Sequence, residues 1–170
     1  QLHGVFGDAQ WTNKRILIDD KLIDLIEQLS GQTLSKENIS DDTMGAGFEF
    51  LVKEFAQDTG HTAADFYTNR TVIDLVLELA NPQPGESIYD PACGSGGFLL
   101  KTALYLKNKG KEYRNIKLYG QELKVFTTSV ARINMLMHGI DEFTFVSGNT
   151  IDKPQILEDD QIKQFDLVMS

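Results

Sequence analysis

One cysteine, Cys93, stands among 170 residues. A single thiol excludes an intramolecular disulfide framework and a C-x-x-C zinc site, and it agrees with a reducing cytoplasm. Histidine is almost as scarce: His3, His61 and His138 are widely separated and show no metal-ligand spacing, so the sequence offers no zinc centre. No apolar run approaches the ~20 residues of a membrane span, and the N-terminus lacks a basic-then-apolar signal pattern. Positive charge is short as well. Lys and Arg total 16 against 25 Asp and Glu, a formal net charge of -9. That balance argues against autonomous binding of nucleic acid and leaves only a local basic patch, or cations supplied by a partner.

What is present is a soluble globular composition in a chain long enough to bury a core, one domain or one and a half. Gln1 rather than Met opens it, as in a processed or partial chain. Residues 1 to 13 have no usable period and read as an irregular lead-in. Leu22, Leu25, Ile26 and Leu29 then follow helical spacing up to Gly31, and Phe48, Leu51, Val52 and Phe55 repeat it between Met44 and Gln57. Both helices are expected to pack into the core, with docking of a partner subunit as the alternative. Asp65 to Arg70 reads as a polar-aromatic loop. Thr71 and Asp74 have capping-box spacing before a third helical face of Val72, Leu75, Val76 and Leu79.

After the break at Asn81, Pro82, Pro84 and Gly85, strands and helices alternate. Strands are expected at Ser87 to Tyr89, Ile116 to Gly120, Phe143 to Val146 and Phe165 to Met169. Helices are expected from Gly97 to Lys109 and from Val125 to His138, closed by Gly110 and Gly139. This order predicts right-handed crossovers, a parallel sheet, and ligand loops at the strands' C-terminal ends.

The segment richest in chemistry is Tyr89-Asp90-Pro91-Ala92-Cys93-Gly94-Ser95-Gly96-Gly97-Phe98. Here a strand meets an acid and then glycines before a helix opens. Gly94, Gly96 and Gly97 permit tight backbone geometry, and the helix's first amides form a donor-rich positive end suited to a carboxylate. Phosphate is not the favoured ligand. Counting on from Gly94 and Gly96 puts Leu99 where a dinucleotide fingerprint needs its third glycine, and no Gly-Lys-Ser/Thr follows as in a P-loop. S-adenosylmethionine fits better: its carboxylate suits the amides, its ammonium suits Asp90, and its sulfonium tolerates an acidic pocket. An ordinary glycine-rich cap on a packed helix is the plain alternative.

Glu122 follows the second strand, where an acid can accept hydrogen bonds from ribose hydroxyls or merely open a helix. Asn149 follows the third strand and either bonds the edge of an adenine ring or shapes its own turn. Cys93 has no recognisable general base beside it and reads as a packed thiol. Phe66 and Tyr67 either wall the pocket or fill the core.

Taken in order, Asp65-Phe66-Tyr67-Thr68-Asn69-Arg70, the glycine segment, Tyr119-Gly120-Gln121-Glu122, Asn134 to Gly139 and Gly148 to Thr150 form a specific set. Across about Thr43 to Ser170 the chain resembles the modification subunit of type I restriction-modification systems, adenine-N6 DNA methyltransferases that use S-adenosylmethionine. The resemblance implies that Asp65, Phe66, Tyr67, Thr68, Asn69 and Arg70 contact the methionine part of the cofactor. It also makes Asp90, Ala92, Cys93, Gly94, Ser95 and Gly96 the central cofactor motif, Glu122 the ribose acid and Asn149 the residue near adenine. Two positions depart from the family pattern, which usually has Glu at Asp65 and Pro at Asn69.

The implied fold is α/β, a Rossmann-like methyltransferase sheet represented by its first four strands. A helical region over residues 1–60 precedes the cofactor half at 61–170. In the family, the strand matching Phe165 to Ser170 runs into Asn-Pro-Pro-Phe or Asn-Pro-Pro-Tyr, which binds the flipped adenine. The sequence stops at Ser170, so no catalytic residue is assigned, the chain alone is expected to be inactive, and its last strand is expected to expose an apolar edge. Double-stranded DNA reached through a multisubunit complex, a specificity subunit and optionally a restriction nuclease subunit are the implied partners. A protein-amide methyltransferase and a noncatalytic cofactor-binding or assembly module are the competing functions.

Overall fold

The computed structural model describes residues 13–15, 18–31, 33, 35, 37–58 and 68–170, with the side chains of 55–58 outside that description. The lead-in at 1–12, His3, His61, the Phe55 side chain, and Asp65, Phe66 and Tyr67 therefore lie outside the described residues.

Four parallel strands form the sheet: β1 (Ser87–Asp90), β2 (Lys117–Glu122), β3 (Phe143–Ser147) and β6 (Leu167–Val168), in spatial order β3-β2-β1-β6. Strand side chains alternate between faces. Ile88, Leu118 and Phe145 belong to a buried core shared with Leu99, Leu100, Ala103 and Leu106 of α4 (Gly97–Asn108) and Ala131 and Met135 of α5 (Val125–Met137). Both crossover helices thus share one core with the sheet, as expected for successive right-handed βαβ units. Tyr89 lies on the opposite face, stacked on Phe165 with ring centroids 4.6 Å apart. At the sheet's far side β6 is the outermost described strand, held to β1 by Asp166, whose carboxylate accepts the Ser87 amide at 2.8 Å and its hydroxyl at 2.7 Å.

Each predicted crossover element is present, and the helix ends fall where the glycines predicted. Gly110 and Gly139 follow α4 and α5 with φ of 68° and 70°, a left-handed geometry that glycine adopts without strain. A two-stranded antiparallel ribbon, β4 (Leu157–Glu158) with β5 (Gln161–Ile162), was not expected. Its turn is Asp159-Asp160, both with positive φ, a tight-hairpin geometry usually marked by Asn-Gly or Asp-Gly.

Three expectations about helices need correction. The cap of α3 (Arg70–Ala80) is Asn69, whose side chain accepts the Thr71 amide at 2.9 Å; Thr71 is already inside the helix, and Arg70 is its first residue rather than part of a loop. The buried face of α3 is Ile73 and Leu77, with Val76 partly buried, while Val72, Leu75 and Leu79 are exposed. Apolar residues occur on two faces of this helix, and its packing on α4 selects one of them. Finally, α1 (Asp19–Ser30) buries no residue: Leu25, Ile26 and Leu29 are all about half exposed or more, because no other described element covers them. By contrast α2 (Asp41–Asp58) packs on α5, where Gly45 lies against the His138 ring. No helix among the described residues is long and apolar enough to cross a membrane.

Candidate functional site

At the C-terminal end of β1 the chain turns sharply through residues 91–96 into α4. Gly94 and Gly96 both take positive φ, 53° and 80°, and the Gly96 amide donates to the Cys93 carbonyl at 2.7 Å. No side chain caps α4, so the donor-rich end of the helix is left to whatever occupies the space in front of it. Asp90 is 2% exposed and its Oδ1 accepts the Ala92 amide at 3.0 Å. Burial is the main influence on its carboxyl, pushing the pKa up to about 6; the Glu122 charge adds to this, against the lowering bonds from the Ala92 amide and the Ser170 side chain.

Cys93 points the other way, into the core. Burial drives its thiol well above the ordinary range, with the charges of Asp90 and Glu122 acting in the same sense, which makes it a packed group and no nucleophile. Its amide donates to the Gln121 carbonyl at 3.0 Å, fastening the turn to β2. Close approach at this point depends on Gly120: a Cβ there would lie 2.8 Å from Cys93 Sγ and 3.0 Å from Phe145 Cδ1. Glu122 completes the fastening, because its Oε2 accepts the Gly94 amide at 3.2 Å.

In front of the turn lies a cleft of about 210 Å³ bearing charges of both signs. Of the residues assigned to cofactor binding from sequence, Asp90, Ala92, Cys93, Gly94, Ser95, Thr68 and Arg70 line it. Gly96 sits behind its wall against Ala131 and Phe145, Glu122 meets the turn through Gly94, and Asn69 is occupied as the cap of α3. Asn149 is not among the lining residues. Its Oδ1 accepts the Ile151 and Asp152 amides at 3.0 and 3.3 Å, and its Nδ2 donates to Asp152 Oδ2 at 2.6 Å, so its side chain shapes its own turn.

Four polar lining residues were not assigned to the site from sequence: Glu49, Lys101, Asn134 and Ser170. Glu49 forms an ion pair with Arg70. Asn134 donates from Nδ2 to the Ser95 carbonyl at 3.1 Å, bracing the turn from α5. A faint signal existed for two of them, since Glu49 interrupts Phe48 and Phe50 on an apolar helix and Asn134 opens the Asn134 to Gly139 stretch. Their partners are distant in sequence, and no local pattern names them.

A parallel sheet with an acid-and-glycine turn at the end of its first strand, a second acid at the end of the next strand and a cleft beyond them defines the Rossmann-like methyltransferase class, here with four strands of its sheet. Residues 39–170 match the N-6 DNA Methylase family, and the chain belongs to that family. It is 31% identical over 130 residues to the type I restriction enzyme HindI methylase subunit of Haemophilus influenzae, an alignment covering 76% of this chain and 28% of that protein. The crystal structure of a type I restriction-modification methyltransferase subunit from Streptococcus thermophilus has the same fold, with a TM-score of 0.78 at 24% identity over 96% of this chain and 35% of that one. A modification subunit of a putative type I restriction enzyme from Vibrio vulnificus aligns with a TM-score of 0.57 and 28% identity, covering 79% of this chain and 27% of its own. The chain therefore spans about a third or less of the length of these relatives.

Proposed function

We propose that this chain is the cofactor half of the modification subunit of a type I restriction-modification system, and that the intact protein methylates adenine N6 in DNA using S-adenosylmethionine. The observation that carries this reading is Asp90, a buried carboxylate set beside an uncapped glycine turn, within residues that match the N-6 DNA methylase family.

The residues present fit this cofactor. Acids (Asp90, Glu49) and cations (Arg70, Lys101) line one cleft with the glycine turn, which suits a ligand whose amino-acid end carries both charges. When bound, S-adenosylmethionine supplies an electrophilic methyl group on a sulfonium. Asp90 accepts hydrogen bonds from the ligand's cationic end, Glu122 accepts from ribose hydroxyls, and Ala92, Cys93, Gly94, Ser95 and Gly96 provide the backbone of the cradle. Asp65, Phe66, Tyr67, Thr68, Asn69 and Arg70 flank the methionine end. Asn149 is assigned to the adenine side. Ionised Asp90 and Glu122 also favour a sulfonium over a neutral thioether.

The target adenine must leave the duplex to reach such a site. Residues 61–170 act as the cofactor half and 1–60 as a helical region joined to it through α2. With a net charge of -9, the chain fits a subunit that leaves sequence reading to a specificity partner in a DNA-bound complex, with a nuclease subunit as a further member, in the cytoplasm.

Titration of the full-length protein with S-adenosylmethionine is expected to show binding that Asp90→Ala and Glu122→Ala both weaken; unchanged affinity in both overturns the site. Labelled methyl transfer to DNA rather than to protein then separates this activity from that of a protein-amide methyltransferase.

A further inference from the structure

We infer that Glu49 is a positioning residue for the amino-acid end of the ligand, acting by holding the Arg70 guanidinium at the cleft. This rests on the cofactor reading above and adds to it a residue from the helical region before the loop. Glu49 Oε2 accepts from Arg70 Nη2, and both residues line the cleft that contains Asp90 and the glycine turn.

The two partners are not equivalent. The Glu49 side chain is 18% accessible and that of Arg70 is 45%, so the acid is the sheltered anchor and the arginine is the exposed group that it directs. Glu49 is also placed independently of the start of α3, where Arg70 lies, because α2 packs on α5 through Gly45 and His138. A guanidinium has five N–H donors in a rigid fork, and one carboxylate cannot use them all. The remaining donors suit a second carboxylate, the group that an α-amino-acid ligand carries. Exposed ion pairs add little to stability, so orientation is the larger consequence of this one.

Binding by the full-length protein of S-adenosylhomocysteine, which has the amino-acid end, and of 5′-methylthioadenosine, which lacks it, tests the assignment. Glu49→Ala keeps a strong helix former in α2. It is expected to weaken S-adenosylhomocysteine about tenfold, the worth of one charge-assisted hydrogen bond, and to leave 5′-methylthioadenosine unchanged. In an Arg70→Ala background it is expected to have no further effect. Equal weakening of both ligands, undiminished weakening without Arg70, or no weakening at all overturns the inference alone. Wild-type protein that binds neither ligand overturns the cofactor reading and this inference with it.

Discussion

Glu122 Oε2 accepts the Gly94 amide at 3.2 Å, which ties the carboxylate ending β2 to the turn that ends β1. Its other oxygen accepts the Lys124 amide at 2.9 Å. An ionised carboxylate has about four acceptor sites, so both bonds leave capacity for ligand hydroxyls. Glu122→Ala is therefore expected to do two things: weaken cofactor binding and release the turn. Faster hydrogen exchange at the Gly94 amide in the ligand-free variant checks the second effect, and wild-type exchange there would show that the bond does not restrain the turn.

Asp90 makes stability and binding respond to pH in opposite senses. Its carboxyl titrates at about 6 when folded and near 3.8 when unfolded, chiefly because burial disfavours the charge. Well below pH 3.8 it is protonated in both states and costs nothing. As pH rises to about 6 the unfolded chain gives up the proton first, so stability falls, by about 3 kcal/mol at full effect. Urea denaturation from pH 4 to 7 is expected to show Asp90→Asn gaining on wild type as pH rises. Over the same range wild-type affinity for the cationic cofactor is expected to increase, a step that Asp90→Asn removes.

At Gly45 a methyl group would overlap the His138 imidazole, whose Nδ1 bonds the Asn134 carbonyl at 2.9 Å. Gly45→Ala is expected to cost about 1–3 kcal/mol through overpacking and to loosen α2 from α5. Thermal denaturation of Gly45→Ala, His138→Ala and the double variant checks this. The double variant should be less destabilised than the two single changes summed.

Gln121 is a buried polar side chain with three loop partners. Its Nε2 donates to the carbonyls of Gly148 and Lys153 at 3.2 and 3.0 Å, and its Oε1 accepts the Gln155 amide at 3.0 Å. Gln121→Leu fills similar space but leaves these groups unpaired, at an expected cost of about 1–3 kcal/mol. Loss of hydrogen-exchange protection at the Gln155 amide is the local readout.

Much of the α/β half was legible from sequence. The glycines at 94, 96, 110 and 139 all adopt the positive φ that makes glycine the favoured residue, and the apolar runs between them could be assigned to strands or helices by length and period. Helices α1 and α2 could be located but not given partners. The hairpin at Asp159-Asp160 escaped because its turn residues lack the usual glycine.

Within the site, the sequence by itself determined the pieces that act locally: an acid at the end of β1, a turn that only glycines make cheaply, and a helix opening behind it. Tertiary structure decided which distant residues meet those pieces. It set Glu49 against Arg70 and Asn134 against Ser95, selected Ile73 and Leu77 over Val72 and Leu79 as the buried face of α3, and kept the Asn149 side chain in its own turn. Backbone conformation follows from neighbours a few residues away, whereas the choice of contact depends on which faces of separate elements pack together, and spacing along the chain does not encode that.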